Sequence, residues 1–242
     1  MSPAPAPDRA PSRDRVRAPS GVAGTRPEAR PAPRPGPHDD TLDDLRFRAL
    51  VGAGPWSRLP AAVRARFGRR LAPGATVTYA GSVDVCRASL AGRLLAQLLR
   101  AVGGPLPTST DTGVPATVAV TEDEAERGQF WTRVYGRHRG FPTIVHSSKR
   151  FRGPTGLEEY VGFGIGVALV VRADERALRF ESDHYFLGAG RARLRLPRWL
   201  GPGTLSVSHA DVDGERFEFA LSLVHPLLGE LVHQSATFAE RR

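Results

Sequence analysis

The chain is poor in the residues from which most reaction signatures are built. One cysteine, Cys86, stands among 242 residues, which excludes an internal disulfide and a multi-cysteine metal site. Lysine is nearly missing as well: Lys149 is the one lysine among 34 basic residues. That arginine bias fits the codon usage of a GC-rich genome better than selection for a phosphate-binding surface. The longest apolar run, "VGFGIGVALVV" (161–171), has eleven residues, against the roughly twenty that a membrane-spanning helix requires. No membrane partner is therefore expected. HExxH and GxSxG are both absent, which speaks against a zincin and an α/β-hydrolase. The formal charge is +9, but without a basic helix or an RNP-type aromatic motif it argues against nucleic acid. No export signal is recognisable, so a cytoplasmic location is expected.

Residues 1–40 differ from the rest. Ten of the 21 prolines fall there, and Met1, Val16 and Val22 are the only larger aliphatic residues. Such a segment cannot bury enough apolar surface to offset its ordering entropy. It reads as a disordered Pro/Ala/Arg-rich tail, followed by a single domain over 41–242.

That domain opens with helical text. "DDLRFRALVG" (43–52) begins with acids, which suit a helix N-terminus. "WSRLPAAVRARFG" (56–68) places Trp56, Leu59, Val63 and Phe67 on one stripe. A strand is expected at about 75–85. "RASLAGRLLAQLLRAVGG" (87–104) then predicts the longest helix, with Ser89 as its cap, Gly103-Gly104 as its stop and its leucines packed on a sheet. From residue 114 onward the period changes to two. Strands are predicted near 114–121, 129–136, 142–151, 157–172, 176–187, 191–196, 203–213, 215–224 and 229–239. The short turns between them permit only antiparallel neighbours. The fold class is α+β: N-terminal helices and one long helix packed on a large antiparallel, barrel-like sheet.

Gly162, Gly164 and Gly166 raise the question of a phosphate loop. Such a loop needs a helix after its glycines. Here "VALVVRADERALRF" follows, which is strand, turn and strand. The glycines are read as one nearly bare strand face, with room beside it for the leucine-rich helix or a ligand.

Three stretches, "LPRWLGPG" (196–203), "VDGERFEFALSL" (212–223) and "HPLLGELVHQ" (225–234), follow one another in that order. Upstream are "GPWSRLPAAVRARF" and "LAGRLLAQLLRAVGGPLP". Together they resemble the bacterial domain-of-unknown-function family 4166 over about residues 45–240. Members are often found behind NAD(P)-binding reductase- or epimerase-like domains, so the resemblance implies a reductase- or epimerase-like protein partner. It supplies no catalytic residues to carry over. After "LVH" this chain has Gln234 and Ser235 where the family pattern leads one to expect an aromatic.

Among candidate groups, Glu158 and Glu159 are expected to face oppositely along one strand and so not to form an acid/base pair. The same alternation separates Asp183 from His184. Cys86 reads as a buried, inert thiol. Arg191, Arg193 and Arg195 read as a solvated outer row. Period two places Leu178, Phe180, His184 and Phe186 on one face, Leu205, Val207 and His209 on another, and Leu231 with His233 on a third. The candidate ligand-binding residues are accordingly His184, His209, His233, Phe180, Phe186 and Gly164. No metal, cofactor or catalytic residue is indicated. Two functions stay open: a binding or accessory module for an apolar or amphiphilic small molecule, and a small enzyme using inward-facing histidines.

Overall fold

A computed structural model describes residues 41–189 and 192–241; the expected disordered tail lies outside them. The strands are β1 (Thr41–Asp43), β2 (Arg69–Leu71), β3 (Thr76–Ala88), β4 (Pro115–Asp123), β5 (Gly128–Tyr135), β6 (Thr143–Arg150) and β7 (Glu158–Gly162). They continue with β8 (Ile165–Ala173), β9 (Ala177–Ala189), β10 (Ala192–Arg195), β11 (Thr204–Asp211), β12 (Arg216–His225) and β13 (Gly229–Arg241). The helices are α1 (Arg46–Val51), α2 (Ala53–Arg58), α3 (Ala61–Phe67) and α4 (Leu90–Leu99). None of the described helices is long and apolar enough to cross a membrane.

Ten strands close into an antiparallel barrel in the order β9-β11-β12-β13-β3-β4-β5-β6-β7-β8, with β8 pairing back onto β9. Closure removes the exposed edges that an open sheet of this size would carry. The eleventh strand, β10, pairs with the far half of β9, at 186–189, where β11 no longer reaches. One edge of β9 is thus shared by two strands, and the wall parts between them.

The two ends of the barrel differ. Helices α1 to α3 plug one end with the expected stripe. Leu59, Val63 and Phe67 are buried there, and Phe67 packs edge-on against Phe47 at 5.1 Å. Pro60 divides the stripe into α2 and α3 because its ring cannot continue a helix across that point. At the other end lies α4. Ser89 caps it by accepting from the Gly92 amide at 3.1 Å, and Gly103 ends the following 3₁₀ turn in the left-handed region. Gly92 lets the helix seat directly on β13: a Cβ there would lie 1.9 Å from the Leu231 carbonyl oxygen. Only part of the leucine face is used. Ala91, Leu95 and Leu99 turn toward the barrel, while Leu90, Leu94 and Leu98 are exposed.

The glycine stretch is not one strand. It is a hairpin, β7 to β8, with Gly162 paired to Ile165 across a two-residue turn. Phe163 and Gly164 have φ of 49° and 77°, as a type I′ turn demands. Gly162 and Gly164 therefore form no bare strand face, which corrects the sequence reading.

Candidate functional site

The end of the barrel under α4 encloses a cavity of about 450 Å³. Leu95, Leu99 and Leu106 form one wall, Val161 and Val167 another, and Leu205, Leu221 and Leu223 a third. Its mouth lies between α4, the 3₁₀ turn at Arg198–Leu200 and the β12–β13 turn. The volume falls within the roughly 300–1,000 Å³ of small-molecule sites.

The floor is polar. On β5, Gln129, Trp131, Arg133 and Tyr135 point inward by strict alternation; on β6 Val145, Ser147 and Lys149 do the same. Arg133 donates to the Ser147 hydroxyl at 3.2 Å and to Glu159 at 3.3 Å. Lys149 Nζ lies 3.0 Å from the other Glu159 oxygen. Burial alone would raise the Glu159 carboxyl; the Lys149 and Arg133 cations outweigh it and hold it at about 2. Burial lowers the Lys149 ammonium, and Glu159 opposes that shift. Two cations thus surround one carboxylate. Arg133, Ser147 and Glu159 reach the cavity surface, while Lys149 lies one layer deeper, over the Trp131 and Phe180 rings at 5.0 and 5.5 Å. Two of the five guanidinium donors of Arg133 are taken, and Nε has no acceptor among the described residues.

None of the six sequence-predicted residues lines this cavity. His209 does point into the barrel, but below the floor. Five aromatic rings, of Phe67, Trp131, Phe180, Phe217 and Phe219, surround it at 5.0–5.9 Å. Burial, and then the nearby cations led by Arg66, push its pKa well below 6.5. Phe180 belongs to the same fully buried layer. His184 and Phe186 face outward because β9 bulges. Leu169 pairs with Ser182 and Ala168 with His184, which leaves Asp183 unpaired and flips the alternation. Tyr185 and Leu187 take the inward places instead, and both line the cavity. The bulge also brings Asp183 and His184 together, with Oδ2 and Nδ1 2.6 Å apart, correcting the expectation that they diverge. His233 pairs with Arg87 and Ser222, and its neighbour Gln234 takes the cavity side. Gly164 sits in the hairpin turn against Gly188. The three histidines are not brought together.

Other expectations hold. Glu159 faces in, whereas Glu158 faces out to Arg193 at 3.0 Å and Arg152 at 3.4 Å. Burial pushes the Cys86 thiol up to about 11. Arg193 and Arg195 are exposed, and Arg191 lies outside the described residues.

Comparison with known proteins adds one match. The family model described as a domain of unknown function, DUF4166, matches residues 59–238, the plug helix α3 through β13. The chain belongs to the DUF4166 family. The matched span holds the floor, the walls and α4, so the cavity is built wholly from family sequence. Gln234, which stands where the DUF4166 pattern led to an aromatic, is one of its lining residues. No curated protein and no solved structure matches the chain.

Proposed function

We propose that the domain binds an amphiphilic small molecule in the barrel, its apolar body between α4 and the sheet and its polar end on Arg133. The observation that carries this reading is the pairing of an apolar cavity with a floor that has one cation in excess. A ligand body laid against Leu95, Leu99, Leu205, Leu221 and Leu223 would gain about 25 cal/mol for each Å² of apolar surface it removes from water. Water fills an apolar chamber poorly, because it finds few partners there. A carbonyl or carboxylate oxygen on the ligand would accept from the spare Arg133 donors, and a carboxylate would balance the excess charge. The function is that of a binding or accessory module.

The test is a thermal-shift series on the full chain with alkanes, fatty alcohols and fatty acids of increasing length. A ligand at a hundredfold excess over its Kd adds about 2.7 kcal/mol of stability. Fatty acids are expected to shift the melting temperature most, and Arg133→Met to erase their advantage over the alcohols. No shift from any amphiphile would sink the reading.

A further inference from the structure

The mouth of the cavity opens through a face on which arginines outnumber carboxylates. Four segments frame it: 85–110 with α4, 160–171 with the β7–β8 hairpin, 184–210 with β10 and the 3₁₀ turn, and 219–229 with the β12–β13 turn. Their described residues hold six arginines, and acids, Asp183 and Glu230 among them, stand at the segment borders. Successive connections of an antiparallel barrel fall at opposite ends, and the other end collects acids. Asp174 and Glu175 lie in the β8–β9 turn, and Asp213 and Glu215 in the β11–β12 turn. Arg87, Arg193 and Arg195 of the mouth lie within 4 Å of Glu230, Glu158 and Asp183. Arg93, Arg100 and Arg198 have no carboxylate at that range among the described residues, and all three are exposed.

Large apolar side chains stand among these cations. Leu90, Leu94 and Leu98, one ridge of α4, are 84, 63 and 64% exposed. Trp199 and Leu227 are 80 and 87% exposed on the facing turns. Phe163 is 82% exposed at the hairpin tip, which reaches the end of α4: a Cβ on Gly162 would lie 2.8 Å from the Val102 carbonyl oxygen. Phe163 also holds a left-handed φ of 49°, which is costly for a bulky residue. Neither the turn nor the core asks for phenylalanine there.

We propose that this face docks on a lipid bilayer carrying anionic headgroups, with the leucine ridge, Trp199 and Phe163 entering the headgroup region and the free arginines on the lipid phosphates. The absence of a twenty-residue apolar run bears on spanning a bilayer and not on lying against one. A second copy is the poorer occupant. An isologous pair would set the patch against itself, with Arg93, Arg100 and Arg198 facing their own copies and the bordering Glu230 and Asp183 already engaged by Arg87 and Arg195. Docking goes beyond ligand binding: vesicles report it whether or not the cavity takes a ligand, so the two readings can fail separately.

The experiment is co-sedimentation of the full chain with phosphatidylcholine vesicles, with and without phosphatidylglycerol. A surface arginine contributes about 1 kcal/mol near an anionic leaflet, or about fivefold, so three free ones give on the order of a hundredfold preference for the anionic vesicles. Trp199 is the exposed tryptophan of the face, and brominated acyl chains are expected to quench its emission; Trp199→Phe should remove that signal. Leu94→Gln with Leu98→Gln, both at exposed positions, should weaken sedimentation at least about tenfold with the melting temperature kept, since each buried CH₂ counts about 0.8 kcal/mol. Equal sedimentation with both vesicle types overturns the proposal. So does a dimer in analytical ultracentrifugation, or a stable complex with an acidic protein, that the same double substitution abolishes while vesicle binding is absent.

Discussion

Lys149 Nζ lies 3.0 Å from a Glu159 carboxylate oxygen, with Lys149 buried beneath the cavity floor and Glu159 at its surface. Removing either partner is not symmetric. Lys149→Met leaves Glu159 with Arg133, whereas Glu159→Gln leaves two buried cations without a counter-charge. Breaking a buried pair in that way costs about 3–5 kcal/mol. Glu159→Gln is therefore expected to destabilise by that amount in chemical denaturation, and Lys149→Met by clearly less. Acid should act through the same group. Its folded pKa, about 2, lies below the unfolded value, so its contribution is present above about pH 4.3 and is lost as pH falls toward 2. The acid limb of the stability profile should flatten in Glu159→Gln.

His209 gives a pH dependence in a different window. Its folded pKa is well below that of a free imidazole, so the unfolded chain binds the extra proton. Stability that is complete above about pH 6.5 should fall as pH drops below it. His209→Phe adds a ring to an aromatic cage and removes the titration. Its melting temperature is expected to vary less than that of the parent between pH 7.5 and 5.5, about one unit either side of the free imidazole's 6.5. Parallel pH profiles would show that His209 is not buried neutral.

Cavity and core can be told apart by adding volume. Val167 lines the cavity and Ala236 lies fully buried in the packed core. Overpacking a dense site costs about 1–3 kcal/mol. Ala236→Leu should show that loss. Val167→Phe grows into open volume and should cost less than about 1 kcal/mol, or raise stability by burying apolar area. Equal losses at the two sites would mean that the cavity is not there, and Val167→Phe should also block any amphiphile-induced thermal shift.

Period two was enough to read β4, β5 and β11 to β13 within a few residues, because each carries apolar side chains on alternate positions. Ser89 and Gly103 marked α4 through chemistry that only a helix end uses. The α4 leucines were legible as a helix but not as two ridges, since the sequence cannot say how wide a stripe the sheet will cover. The bulge at Asp183 has no glycine or proline to announce it, so His184 and Phe186 were assigned to the wrong face while Tyr185 and Leu187 were missed. The floor was written in "GQFWTRVY" and "TIVHSSKR", where Arg133 alternates with Trp131, and Lys149 with Val145. A cation in an apolar row reads as an error of register until the carboxylate opposite it, Glu159, is known to share the barrel interior. Pairing between distant strands supplies that fact, and local text does not.

The β7–β8 turn tests whether Phe163 is kept for its shape or for its surface. Gly164, at φ 77°, would set a Cβ 2.2 Å from the Gly188 carbonyl oxygen. Gly164→Ala is expected to cost at least about 1 kcal/mol, for strain and for the clash together. Phe163 occupies the first central position of a type I′ turn, where asparagine is favoured. It is 82% exposed, so Phe163→Asn gives up almost no buried area. That substitution should raise stability, by up to about 1 kcal/mol. A residue that costs stability without filling space is explained only by what it meets outside the fold. Phe163→Asn is thus expected to melt higher and yet sediment less with anionic vesicles. If both quantities rose, or neither moved, Phe163 would be an accident of the turn, and the docking face would have to stand on α4 and Trp199 alone.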